Sequence, residues 1–343
     1  MKFLTVLSLM ACTAFAAPID EVTTTPESLS FAVLSLFGSP SVGYESIDTA
    51  PVSQDTYNKL LKYSRLAGIS YCVGFETTID KPFRCGLQCK EFPNTEVLYV
   101  YQDIQFDPTL PSYIAVDHNS KEIYTVFRGT RSVGDAITDL EINQKSLTNF
   151  AWGKNITASQ TCENCKVHEG FLRAYNLTYN RISKNLDDVI LKYPDYSQTI
   201  VGHSLGGAVA LLFGISMKVN GHDPLVVTYG QPLVGNKEFA DWADQLFFGQ
   251  TKPNVLSDFP SRKFYRVTHL GDIVPTVPFW SGYTHTSGEI FLDQKNGVLP
   301  SLKNVKFCQG QVNKKCAAGT PFNKKLILLE HLEYFILLGL CRI

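Results

Sequence analysis

The stretch Gln198-Thr-Ile-Val-Gly202-His203-Ser204-Leu205-Gly206-Gly207-Ala-Val-Ala-Leu-Leu212 decides the fold. Residues 198–202 carry β-branched side chains and read as a strand. Residues 205–219 are apolar, lack proline and read as a helix. Between them Gly202-x-Ser204-x-Gly206 forms a G-x-S-x-G turn. Alone, such a tripartite motif arises by chance; with a strand before it and a helix after it, it reads as a nucleophile elbow. The turn brings backbones so close that glycine is needed where a Cβ would clash, and it holds Ser204 over the positive end of the helix.

Outward from the elbow, the chain alternates helix and strand. Helices are predicted near 180–191, 205–219 and 237–246, and strands at 198–202, 225–229 and 264–268. Strand-like runs at 97–102, 113–117 and 122–127 precede them, and 289–292 follows. Alternation of this kind implies an α/β fold: a mostly parallel central sheet with helices on both faces. No repeat, heptad or internal linker divides the chain, so residues 52–343 read as one catalytic domain. Leu60, Leu61 and Leu66 mark a helix at its start, and the apolar stretch 326–340, interrupted by Glu330, His331 and Glu333, reads as a packed terminal helix. That stretch is too short to span a bilayer.

A basic start, an apolar run and Ala14-Phe15-Ala16 make residues 1–16 a signal peptide, so the protein is expected to be secreted. No transmembrane anchor is expected, because the run falls short of about 20 residues. Residues 17–51 are rich in Ser, Thr and Pro and read as a pro-segment or loose arm. Of nine cysteines, Cys12 falls in the signal peptide and eight remain, an even number that in an exported chain implies four disulfides. Close spacing pairs Cys85 with Cys89, Cys162 with Cys165 and Cys308 with Cys316, leaving Cys72 for Cys341. A zinc site is disfavoured because Cys162-x-x-Cys165 has no second C-x-x-C or paired-histidine motif, and no metal or cofactor is expected. Asn155-Ile-Thr and Asn176-Leu-Thr are glycosylation sequons. A net charge of -1 provides no global field for nucleic acid or anionic membrane.

A serine hydroxyl needs a histidine base, and the base needs a carboxylate to orient it; in this type of fold their chain order is Ser, acid, His. Asp272, just past the strand at 264–268, lies at the loop edge where ligands meet parallel sheets. Asp223, a turn residue before Pro224, and Asp241, a solvated helix charge, are its bland competitors. Two histidines follow Asp272. His285 sits in a turn a short loop beyond it, whereas His331 arrives on a separate late element able to reach across to the serine. His203 should point away from the nucleophile, and His269 is too close to Asp272 along the strand end to partner it.

Several motifs in order resemble the fungal class 3 lipases, most of all secreted triacylglycerol lipases of the Yarrowia and Rhizomucor type. They are Phe127-Arg-Gly-Thr130, Val167-His-Glu-Gly-Phe171, the 202–207 elbow, Tyr229-Gly-Gln-Pro-Leu-Val-Gly-Asn236, Asp272-Ile-Val-Pro275 and His331-Leu-Glu-Tyr-Phe335. The resemblance implies an α/β-hydrolase fold, a catalytic set of Ser204, Asp272 and His331, and an oxyanion hole from Thr130 and the Leu205 N–H. It departs in two places. Glu330 stands where the family usually has aspartate, and the expected lid, residues 131–147, carries no tryptophan. Val133, Ile137 and Leu140 nevertheless share one helical face there, opposite Asp135 and Asp139. The implied activity is hydrolysis of long-chain carboxylic esters at a lipid–water interface through an acyl-enzyme. Separately, the chain is expected to be a monomer. A soluble or aryl esterase or phospholipase A1 would use the same scaffold. A non-catalytic lipid carrier would not need serine, acid and histidine together.

Overall fold

The computed structural model describes residues 49–74, 79–86, 88–102, 109–130, 143–147, 150, 162–259, 261–278, 282–295, 299–321, 329–339 and 341. Its main sheet contains β1 (Thr49–Pro51), β2 (Thr95–Tyr101), β3 (Ser112–Asp117), β4 (Glu122–Phe127), β7 (Ser197–His203), β8 (Leu225–Tyr229), β9 (Phe264–His269), β10 (Glu289–Leu292) and β11 (Val305–Cys308). The spatial order is β1-β11-β10-β9-β8-β7-β4-β3-β2. The five central strands, from β4 to β10, run parallel. The flanks β2, β3, β11 and β1 pair antiparallel. A small ribbon, β5 (Gln144–Ser146) with β6 (Lys166–His168), lies apart from the sheet.

Alternation along the strands feeds two cores. On β3, Ile114 and Val116 belong to one core and Tyr113 and Ala115 to the other; on β8, Val226 and Val227 divide the same way. The first core is covered by α2 (Glu169–Lys192), α3 (Leu205–Val219) and α4 (Lys237–Phe248), whose buried stripes include Phe171, Ile182, Leu212 and Phe239. The second is covered by α1 (Gln54–Ile69) through Leu60, Tyr63 and Leu66, and by Tyr334, Phe335 and Leu338 near the C-terminus. Ser53 and Asn236 start α1 and α4 by accepting from the amides of Thr56 and Phe239. The whole is an α/β-hydrolase sheet with helices on both faces.

Three elements differ from the sequence reading. Thr49–Pro51, from the end of the segment read as a loose arm, is an edge strand paired with β11. Helix α2 begins at Glu169 rather than near residue 180, because His168 caps it: the imidazole Nδ1 accepts from the Phe171 amide at 3.3 Å. Among the described residues, the predicted terminal helix is helical at α5 (Leu329–Leu332) and not beyond it. A hairpin follows, β12 (Glu333–Tyr334) with β13 (Ile336–Leu337), because Phe335 adopts φ 62° and reverses the chain.

Four disulfides staple the domain: Cys72–Cys341, Cys85–Cys89, Cys162–Cys165 and Cys308–Cys316, with Cα separations of 4.6, 5.4, 5.5 and 6.6 Å. Among the described residues, one group of donors lies close enough to hold a metal, Glu289 with Cys308 and Cys316. Both of its sulfurs are consumed by the disulfide. No described helix is long and apolar enough to cross a membrane.

Candidate active site

Ser204 lies between β7 and α3 at φ 58°, ψ -128°, a conformation rarely adopted by residues other than glycine, which costs about 1–3 kcal/mol. The elbow is held by close contact. A Cβ on Gly202 would lie 2.1 Å from the Gly206 carbonyl oxygen, so no larger residue fits. Although Ser204 occupies the cap position of α3, its hydroxyl makes no cap hydrogen bond and is left for other use. Its amide donates to the Tyr229 carbonyl at 2.9 Å, tying the elbow to the end of β8.

Asp272 follows β9, and His331, from α5, meets it across 59 residues of sequence: Nδ1 lies 2.9 Å from Oδ2, with both side chains fully buried. An ionised carboxylate only accepts, so Nδ1 carries a proton, and in the neutral imidazole Nε2 is then the bare nitrogen. That Nε2 has no hydrogen-bond partner among the described residues. The carboxylate takes two further donors, the Val274 amide at 2.8 Å on Oδ1 and the Tyr334 hydroxyl on Oδ2. Burial works to raise the Asp272 pKa, but His331, Tyr334 and the Val274 amide together outweigh it and hold the carboxyl below its ordinary value. Gly230, next to the Tyr229 that holds the elbow, provides the seat for this pair. A Cβ there would stand 2.8 Å from His331 Cε1 and 3.1 Å from Asp272 Oδ2.

Thr130 enters from the end of β4. A Cβ on the preceding Gly129 would lie 2.9 Å from Ser204 Cβ, and the Thr130 hydroxyl is buried with no partner among the described residues. Leu205 opens α3, where first-turn amides have no acceptor within the helix. His285 is elsewhere engaged, donating from Nε2 to the Pro275 carbonyl at 2.6 Å. Burial, then the Arg266 charge, push His285 well below its ordinary pKa. Burial likewise lowers His269, whose ring packs 6.0 Å from Tyr334 rather than pairing with Asp272.

The structure therefore brings Ser204, Asp272, His331, Thr130 and Leu205 to one end of the parallel strands. Sequence reasoning missed Tyr334, whose signal is its place three residues after His331, and Gly230, which follows β8 directly. Asn176 is half-buried on α2, and its sequon partner Thr178 is fully buried, accepting from the Leu110 amide at 3.1 Å. Asn155 and residues 131–142 of the expected lid lie outside the described residues; the lid's remainder includes β5.

The family model described as Lipase (class 3) matches residues 124–282. Secreted mono- and diacylglycerol lipase 2 of Gibberella zeae is 31% identical, over 91% of this chain and 89% of its own length. The chain belongs to the class 3 lipases. It is accordingly a carboxylic ester hydrolase. Among solved structures, the Lip2 lipase of Yarrowia lipolytica is 52% identical at a TM-score of 0.81, covering 86% of this chain and 98% of that one. A Rhizomucor miehei lipase, solved as a propeptide complex, is 27% identical at a TM-score of 0.67, covering 88% and 87%. The lipase described here shares its fold with both.

Proposed function

We propose that this lipase hydrolyses acylglycerols through a covalent acyl-enzyme, with Ser204 as nucleophile, His331 as general base and then acid, and Asp272 as the group that orients it. The observation that carries this reading is the buried Nδ1–Oδ2 contact of 2.9 Å beside the elbow, which leaves His331 Nε2 as a bare nitrogen. In the first half-reaction Nε2 takes the Ser204 proton as Oγ attacks the ester carbonyl. The tetrahedral oxyanion is met by the Thr130 hydroxyl and amide and the Leu205 amide, and the imidazolium then protonates the departing alkoxide. Water repeats the sequence on the acyl-enzyme. Asp272 remains ionised throughout, since its three donors favour the anion.

Acylglycerols are proposed as substrates because relatives are named for them, the Gibberella zeae protein among these. Secretion fits the signal-peptide pattern at 1–16 and the four disulfides, and the same relative is named as secreted. A cover over the acyl groove at 131–147 belongs to this reading on its sequence pattern alone.

The test is Ser204→Ala, expected to fold and be secreted while losing on the order of 10⁶ in kcat and all labelling by a serine-directed phosphonate. Residual turnover above about a hundredth of wild type would overturn the assignment. A chain-length series of glycerides and p-nitrophenyl esters, assayed below and above the solubility limit, separates lipase from soluble esterase.

A further inference from the structure

His203 immediately precedes Ser204, yet its side chain serves the opposite partner. The imidazole is fully buried and engaged at both nitrogens: Nδ1 lies 2.5 Å from the Tyr71 hydroxyl and Nε2 2.8 Å from the His331 carbonyl oxygen. A carbonyl only accepts, so Nε2 carries the proton, Nδ1 is bare, and the Tyr71 hydroxyl must donate to it. The bond to His331 is available because α5 ends at Leu332, so no later helical amide reaches that carbonyl. The two imidazoles also pack against each other in a tilted arrangement, with centroids 4.6 Å apart and planes 32° from parallel. Burial first, then the proximity of His331, depress the His203 pKa to about 3, so it stays neutral at working pH.

Tyr71 extends the chain of contacts to the other side of the site. Its hydroxyl abuts Gly129, where a Cβ would stand 2.6 Å away, next to Thr130. Its neighbour Cys72 is bonded to Cys341, beyond the hairpin that follows His331. One string of contacts therefore runs from the Thr130 loop through Tyr71 and His203 to the main chain of His331, and a disulfide fastens the Tyr71 segment to the segment that follows His331.

We propose that His203 and Tyr71 are positioning residues for His331, fixing the height and tilt of its imidazole between Asp272 and Ser204 without exchanging protons themselves. The proposal rests on the reading of His331 as the base. A donor that stays neutral at working pH suits the task, because it holds the same bond whether His331 is neutral or protonated during turnover. Leucine at 203 would keep the volume and lose the donor. Glutamine would restore an amide N–H close to where Nε2 sits.

The experiment compares His203→Leu, His203→Gln, Tyr71→Phe and His331→Ala, each normalised by phosphonate titration of active sites. His203→Leu is expected to lose about 10-fold in kcat with KM within about twofold, the factor matching about 1.4 kcal/mol of lost transition-state positioning. His203→Gln should recover at least about a third of wild-type kcat, and Tyr71→Phe should lose about 3-fold. A merely structural role would lower Tm while leaving kcat per titrated site unchanged, and that result would overturn the proposal, as would Gln performing no better than Leu. If His203→Leu does not fold, Tyr71→Phe decides: unchanged kcat refutes the relay. Activity surviving in His331→Ala would instead remove the base assignment itself, whatever His203 does.

Discussion

Gly230→Ala is the sharpest probe of the site, because the structure fixes what the added methyl would meet. At φ +55° the residue already occupies a region unfavourable to side chains, which costs about 1–2 kcal/mol. The methyl would stand 2.8 Å from His331 Cε1, 3.0 Å from Nδ1 and 3.1 Å from Asp272 Oδ2. Relief requires His331 and Asp272 to retreat by roughly half an ångström, and their 2.9 Å hydrogen bond does not survive such a shift in good geometry. A displacement of about 1 Å at reacting groups costs about 10² in rate, so kcat should fall by about one to two orders of magnitude. Gly221→Ala is the control: its φ is +86°, but nothing lies within 4 Å of the added methyl. It should lose stability alone. The assay is kcat per titrated active site on a soluble ester, beside urea denaturation of both variants. Turnover of Gly230→Ala within threefold of wild type, or an equal loss in Gly221→Ala, would refute the reasoning.

Other predictions bear on the roles of single groups. His331→Ala should fall close to the Ser204→Ala level, whereas His285→Ala, which loses only the contact to Pro275, should keep at least about a tenth of wild-type turnover and show its main effect in Tm; the reverse pattern would move the base to His285. Thr130→Val, lacking the hydroxyl but retaining the amide, should lose about 10² to 10³ in kcat, and near-normal turnover would reduce Thr130 to a turn residue. Asp244, whose pKa burial raises to about 7 despite donors from Ser287 and Gln311, contributes stability that is full below its unfolded value and lost as pH rises through 7. His203 has the opposite sign: its contribution is full above pH 6.5 and lost as pH falls towards about 3. Asp244→Asn removes the opposing group, so its stability should fall more steeply than wild type on acidification, by about 1.4 kcal/mol per unit between about pH 4 and 6.5. Parallel urea-midpoint curves for the two proteins would contradict this.

What was readable in the chain was local. The β7–α3 elbow declares itself because its period changes from strand to helix across a glycine-bounded serine, and Asp272 follows from the rule that loops at strand ends carry the chemistry. The elements that were misread depend on distant partners. Thr49–Pro51 has no strand pattern of its own and becomes one only against Val305–Cys308, some 250 residues away in sequence. The first half of α2 contains Gly170, Thr178 and two asparagines, poor helix formers by propensity, and is held by burial of Phe171, Leu172 and Tyr175 instead. The leucine-rich segment after His331 has a helix-like composition, but Tyr334 and Phe335 pack under the sheet and fold it into a hairpin. The hydrogen bonds of Tyr334, Tyr71 and His203 bridge 62, 132 and 128 residues, distances over which no spacing rule operates.

The late arrival of His331 has a consequence for how the enzyme comes into being. Every described strand of the main sheet lies between Thr49 and Cys308, so the elbow, the Asp272 loop and the Thr130 loop can all be laid down before α5 emerges during synthesis. On the proposed assignment, a nascent chain at that stage carries Ser204 but not yet His331. On that assignment the site is complete only once the segment bearing His331 has docked against Asp272, and the Cys72–Cys341 bridge is the covalent tie that fastens this last-made segment to the body of the domain.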